Sequence, residues 1–246
     1  LASPSIFGVN AGAIFFVVMA MTLFSVKSLS VYIWIAFFGA AVASAIVYLL
    51  SFVGGKSPKP VRIVLAGSAI TALFTSFTQG MLVLDEQGLQ NALFWLAGSV
   101  SGREFEQMLP IILFVGIGIL TAMALSPSIN VFVTGDEVAA GLGLRTGAVK
   151  LIAGIAVVVL AGSAVAVAGM IGFVGLIVPH IARLLVGQDY RWVVPYSAVL
   201  GSSLLLAADT VGRFPIMPQE VPIGVTTAVI GTPFFLYLAR RGLSGE

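Results

Sequence analysis

Residues 151–170 read LIAGIAVVVLAGSAVAVAGM, a run without a single charge that begins one position after Lys150. As a helix rising about 1.5 Å per residue it would be about 30 Å long, the thickness of a bilayer's hydrocarbon core. Backbone groups in hydrocarbon must be satisfied within their own segment, so the run is expected to be helical. The pattern recurs along the chain, with spans expected at 10–26, 31–53, 62–84, 107–126, 148–170, 172–186, 193–212 and 222–239. The fold class is therefore all-α, a polytopic transmembrane helical bundle with about eight spans. Residues 172–186 are short for a crossing and contain Pro179, which predicts a bent or partial helix. Residues 90–99 are apolar but too short to cross, and read as a half-inserted or interfacial helix on the outer side.

Composition points the same way. Hydrophobic residues make up 59% of the 246 positions and charged ones 9%, against about a quarter charged in an ordinary soluble domain. The partner such a surface requires is membrane lipid, and no nucleic-acid partner is expected. With no cysteine there is no disulfide, thiolate nucleophile or thiolate-ligated metal. The lone His180 does not make a histidine-based metal site. Neither a metal nor a cofactor is expected.

Orientation follows from the basic residues. With residue 1 on the cytoplasmic side and each span crossing once, Lys56, Lys59, Arg62, Arg145, Lys150, Arg183, Arg191, Arg240 and Arg241 fall inside. Lys27, Arg103 and Arg213 fall outside. That asymmetry is the one the positive-inside rule expects.

Ionisable residues within spans usually mark function in a membrane protein, because they are costly there. Here the span interiors are almost free of charge, Asp209 and Arg183 lying within spans near an end. An ion-coupled carrier normally needs more, so the energy for transport is expected to come from outside the chain. Gly54-Gly55-Lys56-Ser57 resembles the end of a P-loop, but position 50, where that motif needs glycine, is Leu50. Gly141-x-Gly143 is not a dinucleotide fingerprint, since position 146 is Thr and no βαβ context exists. His180 has no acid at a suggestive spacing for a hydrolase. The chain is not expected to be an enzyme. Small residues spaced i, i+4 (Gly162 with Ala166, Ala164 with Ala168, Ala36 with Ala40) predict close helix packing, within one bundle or between two.

The polar stretch Ile129–Leu144 is the most informative. Asn130 is positioned to begin one short helix and Gly135 to end it. Asp136 and Glu137 then open a second, where acidic side chains complement the helix dipole. Gly143 is a natural terminator. Two short helices on the cytoplasmic face would form a knob carrying Val138, Ala139 and Leu142, suited to a groove on a partner or serving as a solvated connector.

The chain resembles the FecCD-type permeases, the membrane subunits of type II ATP-binding-cassette importers for iron–siderophore complexes, haem and vitamin B12. The matching pieces run through the chain in order: LASPSIFGVNAG at 1–12, VLAG at 64–67, FWLAGS at 94–99, GDEVA at 135–139 with GLG at 141–143, GMIGFVGLIVPHIAR at 169–183, and PIGV at 222–225 with GTPFF at 231–235. The resemblance implies about ten helices in all, the eight spans being the third to the tenth. Residues 1–246 would then be one N-terminally truncated permease domain, with coupling helices at 129–144.

By position, the resemblance assigns Gly135, Asp136, Glu137, Val138, Leu142 and Gly143 to coupling with the ATPase. Ala140 stands where many relatives have Arg. Arg213 matches a residue that pairs with an acidic group of an extracytoplasmic binding protein; a snorkelling interfacial arginine is the plainer reading. Gly172, Gly175 and Pro179 are expected to let their short span bend and pack, and His180 to make a structural hydrogen bond between helix segments. The implied partners are cytoplasmic ABC ATPase subunits, a substrate-binding protein and a second permease, the same chain or a paralogue. The implied location is the bacterial cytoplasmic membrane, and the implied cargo a ferric siderophore, with haem or vitamin B12 as alternatives. An ion-gradient carrier and a purely structural membrane protein are the other classes to be weighed.

Overall fold

The computed structural model describes residues 7–24, 28–53, 60–84, 97–100, 105–215 and 220–243. Among them the helices are α1 (Val9–Phe24), α2 (Leu29–Ser51), α3 (Pro60–Leu84), α4 (Phe105–Phe132), α5 (Asp136–Gly141), α6 (Thr146–Ala168), α7 (Val174–Val186), α8 (Tyr190–Gly212) and α9 (Ile223–Leu243). Each of the eight apolar segments read from the sequence falls on one helix. Five are long and apolar enough to cross a membrane: Ser30–Ser51, Val61–Val83, Met108–Phe132, Thr146–Ala168 and Tyr190–Gly212. The apolar parts of α1, α7 and α9 are shorter. The expected interfacial helix at 90–99 lies outside the described residues except at its last three positions, as do Lys27, Lys56, Lys59 and Arg103.

Small residues decide how the helices meet. Gly12 of α1 and Gly39 of α2 face each other so closely that a Cβ on either would sit 2.5 Å from the other's carbonyl oxygen. Ala36, Ala40, Ala43 and Val47 of α2 are fully buried along this seam. On α6, Gly162 meets Ala40 and Phe37 of α2, and Ala166 is fully buried. Two of the three small-residue pairs thus pack inside the chain. The third does not, because Ala164 faces outward. One core cluster joins α1, α2, α3, α4 and α6 through residues such as Val17, Ile33, Leu82, Ile111 and Val165. A second links α1, α2 and α3, where Phe15 stacks on Phe74 with ring centroids 5.0 Å apart.

Helices α7, α8 and α9 form a second group, and α4 touches both groups, packing on α6 and on α8. The outer surface is apolar: Val83, Leu120 and Leu206 are exposed by 80%, 68% and 69%. In water that would be a large cost, and in lipid it is the expected finish.

One expectation needs correcting. Asn130 does not begin a new short helix. α4 runs through Pro127 to Phe132, and the ladder holds beyond it, Val133 N–H donating to the Ile129 carbonyl at 3.0 Å. A proline removes one backbone donor, and a long helix whose other ladder bonds persist tolerates that loss. The stretch 129–144 therefore holds the end of α4 and one separate short helix, α5.

Candidate functional site

At one end of the bundle the C-termini of α4 and α7 meet the N-termini of α6 and α8, with α5 beside them. Arg145, Lys150, Arg183 and Arg191 lie at this end, and by the positive-inside rule it is cytoplasmic. Two sets of polar ties knit it. Asn130, in the last turn of α4, donates from Nδ2 to Asp189 Oδ1 at 2.6 Å and accepts from the Tyr190 N–H at 2.9 Å. Asp189 caps α8, accepting from the Arg191 N–H at 2.9 Å. The cap and the Asn130 amide hold the Asp189 carboxyl below the usual carboxylate range. Arg183 of α7 closes the group, its guanidinium lying 5.8 Å from the Tyr190 ring centroid.

The second tie involves α5. Gly135, with φ +116°, turns the chain into it. Gly143, with φ +81°, turns the chain out. The Leu144 N–H donates to the Ala139 carbonyl and the Gly143 N–H to the Ala140 carbonyl, both at 3.0 Å. That paired closure needs a left-handed residue, which glycine supplies without strain. Ala139 is fully buried, so it roots the helix instead of joining the outward face. Val138, Leu142 and Val133 are exposed by 52%, 71% and 62%, and Glu137 and Ala140 are exposed as well. Asp136 is turned to the chain itself: Lys150 of α6 bonds its Oδ2 at 2.6 Å, and the same ammonium lies 5.1 Å from the Phe132 ring centroid at the end of α4.

The opposite end is built from backbone. Residues 169–173 make a non-helical corner between α6 and α7, entered through Gly169 at φ +72° and left at Phe173 at φ +65°. Gly98 lies against the carbonyls of Met170 and Ala168, and Gly224, in the first turn of α9, against those of Ala97 and Met170. Gly231 of α9 backs onto the Phe173 side chain. Beside this corner is a cleft of about 230 Å³ lined by Ser99, Asp209, Arg213, Glu220, Val221, Pro222 and Ile223. Arg213 donates from Nε and Nη2 to Asp209 Oδ2 at 3.0 and 2.7 Å. The arginine side chain is 53% exposed, so the pair faces solvent.

The remaining sequence candidates are placed as follows. Gly172 has open space where a Cβ would be, and Gly175 is exposed. The close approaches at this corner are made by Gly98, Gly224 and Gly231. Pro179 lies inside α7. His180 meets the Phe234 ring edge-on at 6.2 Å and, among the described residues, makes no side-chain hydrogen bond. Reading residue types missed Lys150, Phe132 and the Asn130–Asp189 tie. A signal was present for the first: a lysine near a helix N-terminus opposes the helix dipole and calls for an acidic partner.

A lipid-facing helical bundle with an apolar knob at its cationic end and a charged cleft at the other is the architecture of a transport permease. The chain belongs to the FecCD transport family, whose model matches residues 1–241. It is 49% identical over 98% of its length, and 73% of the other's, to the "probable siderophore transport system permease protein YfiZ" of Bacillus subtilis. It is 45% identical to the Fe(3+)-citrate import system permease protein YfmD of the same organism, covering 98% of this chain and 72% of that one. A solved inward-facing metal-chelate type ABC transporter superposes with a TM-score of 0.90 at 27% identity, over 98% of this chain and 76% of that one. The chain is thus a multi-pass permease subunit of an ABC importer in the cytoplasmic membrane, and ATP hydrolysis belongs to separate ATPase subunits. That membership sets aside the ion-gradient carrier and the purely structural reading.

Proposed function

We propose that this permease imports a ferric siderophore-type chelate, that it works as a pair of permease subunits enclosing the path, and that α5 is where the ATPase docks. Several relatives are named for siderophore, citrate or hydroxamate import, which supports the cargo. The observation that carries the docking reading is the outward face of α5: Val138 and Leu142, large and exposed on the cytoplasmic side, at the end of a helix rooted by Ala139. In lipid such a face would be ordinary, but at a charged aqueous end it is an apolar patch that marks a partner. Arg213 at the outer cleft is the group that meets an acidic residue of the binding protein, exchanging its bond to Asp209 for one across the interface. The chain supplies no catalytic group. Its part is a two-state element biased from the cytoplasmic end.

The test is purification from the native membrane in mild detergent, followed by uptake in vesicles. A cytoplasmic ATPase with a complete Walker A motif should copurify, and be lost when Val138 and Leu142 are both changed to Ser. Gly143→Trp, or charge reversal at Asp136 and Glu137, should abolish ATP-driven uptake. Unchanged uptake in those variants would sink the docking reading. Competition among ferric hydroxamate, ferric citrate, haem and cobalamin decides the cargo.

A further inference from the structure

We propose that Lys150 is a positioning residue that transmits movement of α5 to α6, and through α6 to the outer corner. The proposal rests on the docking of α5 and goes beyond it, because it names the route by which the docked helix acts.

α5 is held to the bundle by few contacts. Its main packing among the described residues is on α4 and α6; it is rooted by the single buried Ala139 and flanked by the positive-φ glycines Gly135 and Gly143, neither of which has a neighbour within 4 Å of a Cβ position. Its one ion pair among the described residues is Asp136 with Lys150 at 2.6 Å. Lys150 lies in α6, and its ammonium also faces the Phe132 ring at the end of α4. One cation thus joins three elements at the point where α5 would be pushed.

α6 carries a displacement well. Gly162 seats it against α2 at Ala40 and Phe37, and Leu160 seats it against Gly118 of α4. Packed helices of this kind shift as units instead of bending locally. At its far end α6 runs into Gly169, and the carbonyls of Ala168 and Met170 rest against Gly98 and Gly224. Ser99 and Ile223, the neighbours of those two glycines, line the outer cleft. A shift at Lys150 is therefore felt where the cleft is walled.

The experiment uses the whole transporter, permease with ATPase subunits, reconstituted in proteoliposomes. Residues 1–246 hold no cysteine, so Phe214→Cys, at a position 67% exposed beside Arg213, takes an environment-sensitive fluorophore at the outer mouth once any cysteines elsewhere in the transporter are replaced. With Lys150 intact, ATP changes the signal. Lys150→Met should leave the ATPase subunits bound and hydrolysing while the amplitude falls roughly three- to tenfold, the range a half-exposed ion pair and one cation–ring contact bring to a two-state equilibrium. Lys150→Arg should keep the signal. Asp136→Asn should match Lys150→Met, and the double variant should be no worse than either, as expected of partners in one contact.

Full amplitude in Lys150→Met, or additive losses in the double variant, overturns the proposal. So does loss of ATPase binding in Asp136→Asn alone, which would return Asp136 to the docking surface. If the unaltered permease holds no ATPase subunits, the docking reading itself fails, and this one with it.

Discussion

At the outer end of the bundle, backbone lies on backbone: a Cβ on Gly224 would be 2.5 Å from the Ala97 carbonyl oxygen and 2.9 Å from that of Met170. At the inner end, side chains hold the elements together: Lys150 with Asp136, Asn130 with Asp189, and Arg183 over Tyr190. The two kinds of contact respond differently to displacement. Repulsion between packed atoms rises steeply over a few tenths of an ångström, so the outer corner has few arrangements open to it. Exposed ion pairs are weak and shallow, so the inner end adjusts with little loss. On the proposed docking, the end that the ATPase pushes is the compliant one, and the outer end is the stiff one.

The same substitution at both ends tests this most directly and gives the largest effect. Gly224→Ala should destabilise the protein by about 3 kcal/mol, because the added methyl meets two carbonyls that belong to rigid backbone. Gly143→Ala meets nothing within 4 Å and should cost only about 1 kcal/mol, for its left-handed conformation. Thermal unfolding of both in the same detergent decides, and equal losses would remove the distinction between the ends.

Next in size is the division within α5. Ala139→Asp should lower stability, since it buries a carboxylate in the root of the helix. Val138→Asp and Leu142→Asp should leave unfolding unchanged and weaken ATPase binding roughly tenfold or more. Copurification and melting, measured on the same samples, separate the two faces. A third comparison concerns the outer ion pair. Arg213→Gln and Asp209→Asn should each change stability by about 1 kcal/mol or less. On the proposed contact with the binding protein, Arg213→Gln should slow uptake and flatten its dependence on salt, and Asp209→Asn should not, because the arginine carries the charge offered across the interface.

The fold was largely legible in the sequence, and for one physical reason: a bilayer demands about 20 uncharged residues per crossing, and the demand is written in composition. Gly162, Ala36 and Ala40 also announced their packing, since only small side chains let helix backbones approach so closely. What was not legible depended on three-dimensional neighbours. Asn130 read as the start of a new helix, yet it lies in the last turn of α4 and ties that turn to Asp189. Asp136 read as part of the docking face, yet it bonds Lys150 on a different helix, a pairing that depends on how the chain turns between them. Gly172 and Gly175 were the conspicuous glycines of their motif, while the close approaches at that corner fell to Gly98 and Gly224, which lie far away in the chain.

The smallest expected effect is the dependence of the inner end on acid. Asp189 accepts the Arg191 N–H and the Asn130 amide, and both lower its affinity for a proton. A carboxyl with a folded value below its ordinary one, about 3.9, binds protons more readily once the chain unfolds. Its contribution is therefore complete above that ordinary value, and is lost as pH falls through it toward the folded one. Asp189→Asn keeps an oxygen for both donors but cannot titrate, so its unfolding temperature should fall less than that of the unaltered protein as pH drops from about 6 to about 3. Parallel curves would mean that the tie between α4 and α8 does not depend on charge. The outer contact of Gly224 with two carbonyls holds no titratable group. Acid should thus loosen the tie between α4 and α8 and leave the backbone contact at Gly224 in place.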